Sequence, residues 1–163
     1  MGRRGADDRG RKVLGGCWLL ALEENTIEID YLPRRQFIPF HDRTQRFACI
    51  VAHRRAGKTV ACIQELQRGA VANVRVRPPP RFAYLAPFYK QGKAVAWDYL
   101  RYACRPLLAH GASVNESELR VDYGNGGQVR IYGADNPDAL RGLYLDGVIL
   151  DEYADMDPRV WSE

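Results

Sequence analysis

The sequence predicts an α/β fold, a mostly parallel sheet flanked by helices with one inserted β-hairpin. Three observations predict it. Apolar runs at 47–52, 82–86 and 147–152 have the length and continuous apolarity of strands buried on both faces. Stretches with one apolar face at helical spacing separate them, as in βαβ units. Between the second and third runs, Leu119, Val121 and Tyr123 alternate with polar residues, Gly124-Asn125-Gly126-Gly127 turns the chain, and Val129 and Ile131 return. The 163 residues are one domain's worth, and 46% hydrophobic with 27% charged residues supplies a core and excludes disordered, collagen-like and low-complexity classes.

The elements follow in order. Residues 1–30 read as a basic leader (Arg3, Arg4, Arg9, Arg11, Lys12) and a short apolar segment, helix or strand, at 13–22. Asp7 and Asp8 interrupt the basic part and Glu23 and Glu24 follow without a small-residue cleavage site, which argues against a signal peptide. The run is also too short to span a bilayer. Residues 31–163 read as the folded unit. A strand at 47–52 leads through a loop at 53–57 into a helix at 58–70, with Val60, Ile63, Leu66 and Ala70 on its apolar face and Gly69 marking its end. Pro78-Pro79-Pro80 sits in a loop, and the strand at 82–86 stops at Pro87. Residues 89–104 predict a single helix with Val95, Tyr99 and Tyr102 on one face, broken near Pro106. The third strand ends in two acids, Asp151 and Glu152.

Charge and cysteine usage narrow the chemistry. Lys+Arg is 24 against Asp+Glu at 20, a formal +4. That permits a nucleic-acid partner without demanding one. Almost all the base is Arg, with Lys only at 12, 58, 90 and 93. Arginine suits bidentate phosphate contacts, though a GC-rich genome produces the same bias. Cys17, Cys49, Cys62 and Cys104 are too dispersed for a zinc site or disulfide framework. Three lie in apolar runs, where a free Cys behaves as a small buried hydrophobe, in keeping with a reducing cytoplasm.

Two segments carry chemistry. Ala52-His53-Arg54-Arg55-Ala56-Gly57-Lys58-Thr59, between predicted strand and helix, has the second half of a phosphate-binding loop. Such a loop turns its backbone N–H groups toward phosphate at a helix N-terminus, extends a Lys to the β- and γ-phosphates and offers a hydroxyl to Mg²⁺. Ala52 stands where the first glycine is usual. Val148-Ile149-Leu150-Asp151-Glu152 delivers Asp151 to the carboxyl edge of the sheet, where open α/β sheets bind ligands. There Asp151 can hold Mg²⁺ through water, and Glu152 can act as general base on the attacking water. Successive strand residues face opposite ways, which predicts that the two acids divide these roles. Together the segments predict an ASCE (RecA-like) P-loop NTPase that uses ATP and Mg²⁺.

The arginine-crowded loop resembles that of the large terminase subunits of tailed bacteriophages, the ATP-driven motors that package DNA into proheads. Pro33-Arg34-Arg35-Gln36, Phe40-His41, Tyr84-Leu85-Ala86-Pro87 with Gln91, Lys93 and Trp97, Leu140-Arg141-Gly142, and Asp151-Glu152-Tyr153-Ala154 fit the same family in order and approximate spacing, from about residue 31 to 163. The resemblance implies that Gln36 reads adenine and that Arg54 acts as an arginine finger on the γ-phosphate. Arg55 is an alternative finger or a DNA contact. Arg141 reads as a structural ion-pair partner before a sensor. The implied set is thus Gln36, Arg54, Arg55, Ala56, Gly57, Lys58 and Thr59 for ATP, Thr59 and Asp151 for Mg²⁺, and Glu152 and Arg54 for catalysis. Double-stranded viral DNA, a portal protein, a small terminase subunit and further copies in a ring on the prohead are the implied partners. The host-cell cytoplasm is the implied location, with no membrane. In that family a further strand and a nuclease domain follow the Asp-Glu strand, so the sheet is expected to be incomplete and no nuclease activity is assigned to these residues. Two other readings stand: another P-loop ATPase such as a superfamily 2 helicase, and a nucleotide-binding module without turnover.

Overall fold

The computed structural model describes residues 13–14, 17–22, 25–73 and 78–161. The chain opens with an antiparallel sheet of β1 (Val13–Leu14), β2 (Cys17–Leu22) and β3 (Asn25–Ile29). The basic leader at 1–12 lies outside the described residues. A 3-10 turn at Arg35–Phe37 runs into α1 (Ile38–Asp42). After an irregular stretch come α2 (Lys58–Ala72), β4 (Arg81–Ala86), α3 (Tyr89–Val95) and α4 (Trp97–Leu108). β5 (Ser113–Asn115), β6 (Arg120–Asp122), β7 (Gln128–Gly133) and β8 (Gly147–Leu150) complete the strands.

The main sheet has five strands in the order β5-β6-β7-β4-β8. β4 pairs in parallel with β7 on one side and β8 on the other, Tyr84 lying opposite Ile131 and Ile149. β6 and β7 form the predicted hairpin, and β5 extends it antiparallel. This is the mixed α/β architecture that the alternation of runs predicts, with its parallel part confined to β7, β4 and β8.

Burial follows from that placement. On one face of the sheet, Ile63, Leu66 and Ala70 of α2, Trp97, Leu100 and Leu107 of α4, and Val121, Val129 and Ile131 share a core with Ile27 and Ile29 of β3. Gln67, buried in the same layer, donates from Nε2 to the Ala103 carbonyl at 3.0 Å, tying α2 to α4. On the opposite face, Ala83, Leu85, Leu140, Met156 and Val160 form a smaller core.

Several expectations are corrected. The run 47–52 is not a strand: it is irregular and joins no ladder, with Val51 92% and Phe47 65% exposed. Among the described residues the run pairs with neither edge of the sheet, β5 or β8, so its backbone lacks the ladder partners a strand needs. Only Ile50 and Ala52 pack inward, and Cys49 is exposed, unlike the buried Cys62 and Cys104.

The helices differ too. Gly69 does not end α2. It lies inside the helix because a Cβ there would come within 2.5 Å of the Phe82 ring. The helix end is satisfied by Asn125 of the hairpin turn, whose Nδ2 donates to the carbonyls of Ala70 at 2.9 Å and Val71 at 3.1 Å. The expected helix 89–104 is two helices meeting at Ala96, and the second continues through Pro106 to Leu108. Proline costs α4 one backbone bond, close to an end where carbonyls already lack helical partners. Tyr99 and Tyr102 face solvent with Val95, and the buried face is Trp97, Leu100, Ala103, Cys104 and Leu107. Finally, the third strand stops at Leu150, leaving Asp151 and Glu152 in the turn beyond it.

Candidate nucleotide site

The loop 53–57 is shaped by two residues with left-handed backbone, Arg55 at φ 62° and Gly57 at φ 98°. Gly57 adopts this conformation without a Cβ clash. An L-residue such as Arg55 pays roughly 1–2 kcal/mol for it, strain of the kind concentrated at functional sites. Gly57 precedes the first turn of α2, and Lys58 and Thr59 open that helix. The Lys58 ammonium donates to the Ala52 carbonyl at 2.9 Å, closing the loop upon itself. Unpaired N–H groups and the positive end of the dipole at the start of a fifteen-residue helix favour an anion there.

A second wall comes from the 3-10 turn before α1. Phe37 is buried against Ala56 and Ala61. Arg34 donates from Nη1 to the carbonyls of Ala56 at 2.8 Å and Arg55 at 3.3 Å. The exposed Gln36 reaches the Ala56 carbonyl from Nε2 at 3.5 Å. The segment with the expected adenine reader therefore abuts the phosphate-loop candidate, although the two are far apart in sequence. The apolar Phe37 is the expected support of Gln36, whereas the part played by Arg34 is one that sequence reasoning did not assign; its only signal was its place in the Pro33-Arg34-Arg35-Gln36 run.

Beneath this wall lies a buried ionic cluster. His41 Nδ1 bonds Glu65 Oε2 at 2.9 Å, and Arg43 and Arg68 each donate to Glu65 Oε1 at 2.7 Å. The Tyr31 hydroxyl meets His41 Nε2 at 2.9 Å. The carboxylate can only accept, so Nδ1 carries a hydrogen, and in the neutral ring Nε2 accepts from Tyr31. Burial by itself would raise the Glu65 pKa. The hydrogen bonds from His41 and Arg68 and the charges of Arg68 and Arg43 outweigh it and hold the carboxyl at about 2. The cluster joins the 31–43 segment to α2, and so to the loop that α2 begins.

The third wall is the end of β8. The Asp151 backbone N–H donates to the Leu85 carbonyl at 2.9 Å, continuing the ladder one residue past the strand. Its carboxylate accepts from the Tyr84 hydroxyl, which lies beside the Thr59 side chain. Burial first, then the Asp151 carboxylate, push the Tyr84 phenol far above its ordinary value, so it stays a donor. Glu152 is exposed and takes the left-handed conformation at φ 53°. The separation of the two acids thus arises from this turn and not from strand alternation.

The structure brings together Gln36, Ala56, Gly57, Lys58, Thr59 and Asp151. Arg54 and Arg55 are exposed on the loop. Arg141 makes an exposed ion pair with Asp138 at 3.6 Å. Thr59 and Asp151 offer hydroxyl and carboxylate oxygens, the hard donors that Mg²⁺ takes in small number when phosphates complete its shell. Among the described residues no group of three or more His, Cys, Asp or Glu could hold a metal ion by itself, and no helix is long and apolar enough to cross a membrane. A cavity of about 220 Å³ lies at the other end of β4, lined by Arg81, Arg120, Arg130 and Tyr132 among others. Glu118 and Asp122 already pair with Arg120, so that cavity is not a strong anion site.

The architecture and the loop–helix–acid arrangement are those of an α/β protein with a candidate nucleotide site at the carboxyl edge of its sheet. Among solved structures the chain is similar to the large terminase ATPase domain of Thermus phage P74-26, with a TM-score of 0.63 and 28% identity over 83% of this chain. It spans 59% of that chain. No protein-family model and no curated protein matches the chain.

Proposed function

We propose that the chain is the ATPase portion of a phage large terminase subunit, binding and hydrolysing ATP to drive viral DNA into a prohead. The observation that carries this reading is that α2, which opens with Lys58 and Thr59, packs against β8, while the Tyr84 hydroxyl holds the Asp151 carboxylate just beyond that strand. The similarity to a terminase ATPase domain supports it.

On this reading a P-loop is formed by 52–59 and cradles the phosphates with its backbone N–H groups. Lys58 leaves the Ala52 carbonyl for the β- and γ-phosphates. Thr59 and Asp151 hold Mg²⁺, which when bound neutralises charge developing on the phosphates. Gln36 reads the adenine edge, beside the buried Phe37. Arg54, or Arg55 in its place, steadies the γ-phosphate, and Glu152 accepts a proton from the attacking water. Double-stranded viral DNA, a portal protein, a small terminase subunit and neighbouring copies in a ring are the partners, in the host-cell cytoplasm.

The test is a fluorescent-ATP titration with Mg²⁺. Lys58→Ala removes a charge-assisted contact to phosphate and is expected to abolish most of the affinity. Equal binding by both proteins sinks the reading.

A further inference from the structure

The interior strand β4 carries a polar atom whose purpose packing does not explain. Tyr84 has no exposed surface. Its neighbours along β4 are Ala83, Leu85 and Ala86, and its ring belongs to the core formed with α2 and α4. A phenylalanine would fill that space and spare a buried hydroxyl the need for partners.

The hydroxyl sits between the two halves of the candidate site. It donates to Asp151 Oδ2 and lies beside the Thr59 side chain. The Tyr84 proton is committed to a carboxylate that can only accept, which leaves Asp151 Oδ1 for another ligand.

Asp151 needs such a hold. It lies just beyond β8, where the ladder bond to Leu85 still holds its backbone but leaves the orientation of its carboxylate to side-chain partners. Among the described residues, Tyr84 supplies the one side-chain hydrogen bond to its carboxylate. The Tyr84 ring, in contrast, is fixed between sheet and helices. Ligating carboxylates are characteristically oriented by outer hydrogen bonds, and a metal site is only as well shaped as the groups supporting it.

We infer that Tyr84 is a positioning residue for Mg²⁺: its hydroxyl, held by the core, orients the Asp151 carboxylate beside Thr59 so that both can serve one cation. The inference rests on the proposed role of Thr59 and Asp151 as the metal-holding pair, and extends it to a residue that touches neither nucleotide nor metal.

The experiment uses equilibrium binding of a fluorescent ATP analogue to the full chain, first in EDTA and then across a Mg²⁺ titration at constant pH. Wild type, Tyr84→Phe and Asp151→Asn are compared, with circular dichroism and thermal melting of each. Tyr84→Phe is expected to bind metal-free nucleotide as wild type does, while the Mg²⁺ concentration giving half the metal-dependent gain rises about 10- to 100-fold. Asp151→Asn is expected to shift the same midpoint. If Asp151→Asn shifts it and Tyr84→Phe leaves it unchanged or lowers it, Tyr84 does not position the pair. If Tyr84→Phe weakens metal-free binding to the same extent, or unfolds the chain, the hydroxyl is a structural element and the inference fails. If Asp151→Asn itself titrates like wild type, the underlying metal assignment is wrong.

Discussion

Lowering the pH from 5 to 3 should release Glu65 from its cluster, and the size of the loss can be worked from the structure. The carboxylate is one-tenth exposed and accepts from His41, Arg43 and Arg68. Its pKa is lowered from 4.5 to about 2. The folded value is the depressed one, so the contribution is fully present above the unfolded pKa and is lost as pH falls from about 4.5 toward 2. At 1.36 kcal/mol per unit the full term is about 3 kcal/mol, and about 2 kcal/mol of it is gone by pH 3. Glu65→Gln keeps the shape and removes the titration. It should destabilise the protein at pH 7 by about 3 kcal/mol, the lower end for breaking a buried ion pair, because Arg43 and Arg68 retain some solvent. Urea unfolding at pH 5, 4 and 3 separates the effects. All other carboxylates titrate alike in both proteins, so wild type should lose about 2 kcal/mol more than Glu65→Gln over this interval. Parallel losses would refute the assignment of a depressed pKa to Glu65.

Further expectations concern packing and turnover. Gly69→Ala puts a Cβ within 2.5 Å of the Phe82 ring; despite the better helix propensity of alanine, it should destabilise by about 1–3 kcal/mol, seen as a lowered melting temperature, and an unchanged or raised one contradicts the packing account. If Glu152 is the general base, Glu152→Gln should preserve ATP·Mg²⁺ binding and reduce turnover by roughly 10²–10⁴-fold, and hydrolysis at the parental rate removes it from that role.

Much of this protein was legible in its sequence because the relevant signals are local. The apolar runs of β4 and β8, the Gly-Asn-Gly-Gly turn between β6 and β7, and the start of α2 at Lys58 follow from patterning and turn chemistry within a few residues. So does the turn at Gly57 into a helix opening with Lys58 and Thr59, since a glycine with positive φ ahead of a helix is a short-range requirement. Tertiary structure decided what depends on neighbours distant in the chain. The run at 47–52 has the composition of a buried strand, but a strand needs partners for its backbone, and among the described residues it has none. Gly69 reads as a helix stop until Phe82 comes against it, and Asn125, from the hairpin, ends α2 instead. The exposed Tyr99 and Tyr102 could not be told from core by spacing alone, because the side of α4 that is buried depends on where the sheet lies. Tyr84 was visible only as one aromatic residue in an apolar strand; that its hydroxyl bonds Asp151 beside Thr59 emerges when β4, β8 and α2 converge. Periodicity records which residues can be buried, whereas a hydrogen bond between distant residues exists only after the chain has brought both ends to the same place.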